Sequence, residues 1–178
     1  INEWDGQRVT DNAPLRSGKG SLYEGGIRVP TIIRWPDITI PNTISDYPIT
    51  TQDFYPTLLE MVNLKWDSSQ VAAFDGISLI PVLKDPQVEL KQRVLYWHYP
   101  HYYHTTKPVS AIRQGDWKLL EFLEDNHVEL YNLKEDVGEK NNMNKANPEK
   151  AKELLHLLTD WRQQVNASMP RLNPKYSK

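Results

Sequence analysis

Two stretches of this chain hold residue types that could do chemistry. The first is Pro14-Leu15-Arg16-Ser17-Gly18-Lys19-Gly20-Ser21-Leu22-Tyr23-Glu24-Gly25-Gly26-Ile27-Arg28-Val29-Pro30. Lys19 stands between two glycines, so its backbone can come close to a ligand. Its ammonium is a compact point charge, suited to one oxygen of an anion. A phosphate-binding P-loop would need glycine at position 13 and Ser or Thr at position 20. Those positions are Ala13 and Gly20, so that reading fails. The plain alternative is a surface loop with turn glycines.

The second stretch is Trp97-His98-Tyr99-Pro100-His101-Tyr102-Tyr103-His104. Its histidines recur every third residue, but Pro100 argues against a helix that would align them. No carboxylate or cysteine lies in the run to complete a metal set. Flat rings and neutral imidazoles suit either packing or contact with a sugar, and His98 and His101 are the candidates for that contact. Asp11-Asn12 offers two oxygen ligands where calcium takes six to eight.

These stretches must be positioned by the elements around them. Gly25-Gly26 reads as a turn, and residues 27–35 as an apolar strand with Pro30 near an edge or bulge. Thr51 or Asp53 can cap a helix in which Phe54, Leu58, Met61 and Val62 share one face. Asp46 and Asp53 read as structural. Residues 66–73 form a loop, and a turn at Asp75-Gly76 leads into a short helix that Lys84-Asp85-Pro86 ends. A strand near Arg93–Tyr96, then hairpins turning at Gly115-Asp116 and Asp125-Asn126, give a four-stranded antiparallel sheet. On it, Arg113 and Lys118 read as solvated or paired surface charges. Asn147 and Pro148 open a final helix with the stripe Ala151, Leu154, Leu155, Leu158, Trp161 and Val165. A four-stranded sheet needs such a cover. Residues 1–13 read as an irregular lead-in.

Composition narrows the function classes. A net charge of −2 over 178 residues gives no field favouring nucleic acid. No apolar run reaches the length of a membrane span. Zero cysteines exclude disulfides and thiolate metal sites.

The lysine string resembles the late active-site segment of the type I sulfatases, the arylsulfatase family of the alkaline-phosphatase-like superfamily. Later strings resemble the same family in the same order: Asp75-Gly76-Ile77-Ser78-Leu79, Trp97-His98-Tyr99-Pro100, Ala111-Ile112-Arg113-Gln114-Gly115-Asp116-Trp117-Lys118-Leu119 and Glu129-Leu130-Tyr131-Asn132-Leu133. The resemblance implies an α/β fold, α+β in its C-terminal half. Residues 1–86 would be the C-terminal remnant of the catalytic domain, and residues 87–178 a subdomain of antiparallel sheet plus helix. It implies hydrolysis of sulfate esters of sulfated carbohydrates or aryl sulfates, with Lys19 as the catalytic, sulfate-binding lysine. It also implies a calcium ion and a formylglycine nucleophile made from a Cys/Ser-x-Pro-x-Arg motif, which this chain does not contain. The partner expected from this is an N-terminal catalytic portion, and the expected compartment is periplasmic or extracellular. Two other readings stand beside it: a non-catalytic carbohydrate-binding module built on the sheet and the aromatic loop, and a phosphoesterase relative.

Overall fold

The computed structural model describes residues 2–4, 7–64, 74–171 and 173–175. The loop expected at 66–73 lies outside them. Two compact units emerge: residues 1–29 with 92–178, and residues 30–91. This division differs from a cut at 86/87. The lysine loop belongs with the C-terminal sheet rather than with the segment that follows it in sequence.

The first unit begins with a short antiparallel pair, β1 (Asn2–Trp4) and β2 (Gln7–Thr10), where an irregular lead-in was expected. Its centre is a sheet of β3 (Val94–Tyr99), β4 (Val109–Gln114), β5 (Trp117–Phe122) and β6 (Val128–Asn132), every neighbour antiparallel and consecutive. Gly115, at φ 58°, makes the β4–β5 turn, and Asn126, at φ 58°, takes the same left-handed backbone between β5 and β6.

Strand alternation divides the sheet's side chains between two faces. Tyr96, Ile112, Leu119 and Leu130 align across one face. That face is closed by α4 (Pro148–Gln164) through Ala151, Leu154 and Leu158, with Trp161 stacked on Tyr96 at 4.8 Å. Here the helix expected from the apolar stripe forms and packs as expected. Pro148 is its first residue, although the Asn147 side chain makes no capping bond. Val165 departs from the stripe and is 52% exposed. Arg162 takes the buried place in the last turn instead, its Nη1 2.7 Å from Glu121 and 3.2 Å from the Ser110 hydroxyl.

The opposite face carries Val109, Ala111, Leu120, Phe122 and Tyr131. It is covered by Leu22, Tyr23 and Ile27 from the lysine segment. Burial on both faces explains why Lys118, Leu119 and Leu120 are buried in succession.

Residues 28–35 form no strand. Gly25 and Gly26 lie in a one-turn helix, α1 (Glu24–Ile27), and residues 28–35 continue without regular structure, with Ile32 95% exposed. An isolated strand cannot satisfy its own N–H and C=O groups, and no described strand lies beside this run.

In the second unit a 3₁₀ turn (Thr51–Asp53) leads into α2 (Phe54–Met61), and α3 (Ile80–Lys84) follows. Asp53 is structural, as expected. Fully buried, it accepts the N–H of Thr50 at 2.7 Å and of Ile77 at 3.0 Å. The hydroxyl of Thr57 donates to the Asp53 carbonyl at 2.6 Å and accepts the Leu79 N–H at 2.9 Å. Burial therefore falls on Pro56 and Thr57. The expected apolar face is outward instead, with Leu58 58% exposed. Among the described residues no helix is long and apolar enough to cross a membrane.

Leu158 has no exposed surface and Val165 lies outside the packed stripe. Leu158→Ala should therefore cost about 2–5 kcal/mol by leaving a cavity against the sheet. Val165→Ala should stay within about 0.5 kcal/mol. Urea unfolding of the two variants checks this, and equal losses would contradict the packing described.

Candidate functional site

The lysine loop is built by backbone hydrogen bonds closed on themselves. Leu15 N–H donates to the Asn12 carbonyl at 2.8 Å, Gly25 N–H to Arg16 at 2.9 Å and Ser21 N–H to Gly18 at 3.1 Å. The Asn12 amide donates to the Gly25 carbonyl at 2.8 Å, and Asp11 accepts the Ala13 N–H at 2.9 Å. Gly25 is fixed by space, because a Cβ there would lie 2.4 Å from the carbonyl oxygens of Arg16 and Ser17. The loop and α1 thus touch backbone to backbone.

A buried ion cluster joins this loop to the sheet. Lys118, with 0% exposure, places its Nζ 2.8 Å from Glu24 and 2.9 Å from Glu139. Glu24 N–H donates to Glu139 at 2.6 Å. Lys118 is therefore paired but not a surface charge; its strand position points beneath the lysine loop. Arg113 lies at the edge of the cluster, its Nη1 4.0 Å from Glu24 and its Nε donating to the Gly115 carbonyl. Burial pushes the Glu139 carboxyl above the usual range, and Lys118 opposes that rise.

A second polar group continues outward. The Arg16 guanidinium lies 3.8 Å over the Tyr23 ring and donates to the Tyr131 hydroxyl at 2.8 Å and the Glu139 carbonyl at 2.9 Å. Tyr23 and Tyr131 both donate to Glu129, at 2.7 and 2.9 Å. Burial first, and Glu129 next, hold both phenols well above their ordinary value.

Lys19 stands on this frame with its side chain exposed. The aromatic loop meets it: the Thr105 hydroxyl donates to the Lys19 carbonyl at 2.9 Å, and the Tyr103 ring lies against Gly20. Tyr103 and Thr106 exchange backbone hydrogen bonds that close the loop's tip. His101 and Tyr102 are exposed on the same loop. Sequence reasoning found both stretches but not their contact.

His98 is not part of this assembly. As the alternate residue of β3 it points to the helix-covered face. One ring nitrogen lies 2.8 Å from the Ser110 hydroxyl and the other 2.8 Å from the Ser168 carbonyl. A carbonyl only accepts, so Nε2 carries the proton and Nδ1 accepts from Ser110. His98 ties the tail to the sheet, on the side away from Lys19. Among the described residues no group of three or more His, Asp or Glu side chains could hold a metal ion.

The family model of N-sulphoglucosamine sulphohydrolase, C-terminal, matches residues 18–166. The chain belongs to the sulfatases, in their C-terminal portion. A sulfatase of Formosa agariphila is 42% identical over 147 residues, 78% of this chain and 27% of that protein. The N-acetylglucosamine-6-O-sulfatase of Bacteroides thetaiotaomicron is 33% identical over 159 residues, 85% of this chain and 28% of that protein. Among solved structures, Ps i-CgsB in complex with k-i-k-neocarrahexaose superposes with a TM-score of 0.67 at 27% identity, covering 85% of this chain and 32% of that one. The chain thus spans about a third or less of the relatives it matches. The four-stranded sheet with its C-terminal helix is the sulfatase C-terminal architecture.

Removing Lys118 would leave two buried carboxylates facing each other. Lys118→Met should cost about 3–5 kcal/mol, the scale for breaking a buried ion pair on one side. The loss should be smaller near pH 5 than near pH 8. Without Lys118, which opposes the rise, the buried Glu139 carboxyl moves still higher, so the folded state binds a proton that the unfolded state releases. Adding Glu24→Gln and Glu139→Gln should restore part of the stability and flatten the pH dependence. Urea midpoints at the two pH values are the measurement.

The two phenols give a prediction at the alkaline end. Unfolded tyrosines release their protons near pH 10, while Tyr23 and Tyr131 hold theirs in the fold. Their contribution to stability is complete below about pH 10 and falls as pH rises further. Tyr23→Phe with Tyr131→Phe should make the loss of stability between about pH 9.5 and 11 shallower, read by denaturant unfolding at each pH.

Proposed function

We propose that this chain supplies the sulfate-binding lysine and one wall of the substrate pocket to a sulfatase that hydrolyses sulfate esters of sulfated carbohydrates. The observation that supports this most directly is Lys19 itself. Its backbone is pinned by the loop and by Thr105, while its ammonium is exposed and, among the described residues, has no carboxylate partner. A surface lysine kept for solubility needs no such frame. A cation held in place to neutralise charge on sulfate oxygens does. As the S–O bond to the leaving group breaks, negative charge grows on the departing oxygen, and a preorganised ammonium stabilises it without reorganising.

The carbohydrate reading draws on the relatives. One is an N-acetylglucosamine-6-O-sulfatase, another an N-acetylgalactosamine-6-O-sulfatase, and one solved structure holds D-glucosamine-2-N,6-O-disulfate. His101 and Tyr102, exposed on the loop that meets Lys19, would contact the sugar. A periplasmic or extracellular setting follows from that substrate class.

The calcium ion that the family resemblance implies does not fit the described residues. Asp11 already takes a backbone N–H, the Asn12 amide is committed to Gly25, and among the described residues no group of three or more His, Asp or Glu side chains could hold a metal ion. Nor does the chain contain a cysteine or a Ser-x-Pro-x-Arg string. Nucleophile and metal ligands would come from the N-terminal catalytic portion of the protein, and the 178-residue chain by itself is expected to show no sulfatase turnover.

The test is a substrate panel with the full-length protein: 4-nitrophenyl sulfate, sulfated monosaccharides and the matching phosphate esters. Lys19→Ala should lower kcat by roughly 10²–10³ on sulfate esters. Lys19→Arg should restore it only in part, because a planar fork does not fill a point-charge site. Melting temperature should hold in both. His101→Ala should raise KM for the sulfated sugar more than for the aryl ester. Near-normal kcat in Lys19→Ala would refute the lysine's role, and turnover confined to phosphate esters would favour a phosphoesterase.

A further inference from the structure

The Lys19 side chain and its backbone are treated differently by the fold, and the difference lies in the aromatic loop. Thr105 Oγ1 donates to the carbonyl of Lys19 itself, at 2.9 Å, across 86 residues of sequence. Gly20 has φ 89°, and a Cβ built there would lie 2.3 and 2.5 Å from two Tyr103 ring carbons and 2.9 Å from Thr105 Oγ1. The ring therefore rests directly on the loop backbone, in the space a side chain would fill. On the other side, Gly18 is buried and its carbonyl accepts the Ser21 N–H. The peptide groups on both sides of Lys19 are thus held, and only the side chain is left to reach outward.

We propose that Thr105, seconded by Tyr103, is a positioning residue for Lys19: its hydroxyl fixes the Lys19 carbonyl and so aims the ammonium at the sulfate. The loop tip that carries Thr105 is itself closed by the paired Tyr103 and Thr106 backbone bonds. Exposed His101 and Tyr102 lie on the same loop. A sugar gripped by that loop and a sulfate gripped by Lys19 are therefore registered against each other through one hydroxyl. Small misplacements of a charged group are costly in a preorganised site. This inference rests on Lys19 being the sulfate-binding residue.

The experiment uses the full-length protein and whichever panel substrate turns over fastest. Thr105→Val keeps the shape and removes the donor. It should lower kcat about tenfold while KM moves less than about twofold, the pattern of a group acting in the transition state. Thr105→Ser keeps the donor and should recover most of the rate. In a Lys19→Ala background, Thr105→Val should cost less than about twofold more, because the two act as one unit. Should Thr105→Val fail to fold, Thr105→Ala replaces it in the same cycle. A silent Thr105→Val beside a costly Lys19→Ala overturns this inference alone. So does a tenfold Thr105 effect that persists without Lys19. A silent Lys19→Ala overturns the sulfate-binding reading and this inference with it.

Discussion

A lysine with no exposed surface, held between two carboxylates equally hidden, is the constraint on which the rest of the first unit depends. Lys118 comes from the start of a strand, Glu24 from a one-turn helix and Glu139 from the connector before the last helix. Taking three charges out of water is expensive, and mutual attraction repays it only when geometry is good. The cluster is therefore a weak source of stability but a strong source of specificity. One arrangement pairs all three groups, and any slip of loop or strand leaves one unpaired. A loop this short of apolar side chains needs such a device to hold a fixed place on the sheet.

The second polar layer extends that fixation toward the surface. Arg16 reads two elements at once, Tyr131 on the sheet and the Glu139 carbonyl on the connector, while lying on the Tyr23 ring. Tyr23 packs against the apolar face of the sheet and presents its hydroxyl to Glu129. Apolar cover and polar fastening are thus supplied by the same few residues. That economy lets residues with little regular structure hold Lys19.

What was legible in the sequence follows from the range of the forces involved. The hairpins of β4 to β6 and the helix α4 are decided by neighbours: a turn glycine, a proline at the first helical position, a stripe repeating at helical spacing. Those elements could be read directly. Residues 27–35 could not, because an apolar run becomes a strand only beside another strand. Lys118 was read as a surface charge because its partners lie 94 and 21 positions away and carry no local signal. At the site, the Lys19 string was legible as a string. Its contact with the aromatic loop was not, since a hydroxyl meeting a carbonyl across 86 residues leaves no pattern. His98 and His101 show the finest distinction. Strand parity sends His98 to the helix side, whereas His101 lies past the strand's end, where parity no longer applies.

On the proposed reading, the double covering of the sheet limits where a carbohydrate can meet this chain. Modules that bind sugars on a flat sheet do so with a row of rings on an open face. Here one face of the central strands lies under α4 and the other under Leu22, Tyr23 and Ile27. The broad surface is spent on cohesion, which on that reading leaves recognition to the rim, at the loop tip beside Lys19. Discrimination among longer glycans would then have to be written in whatever surface faces that rim.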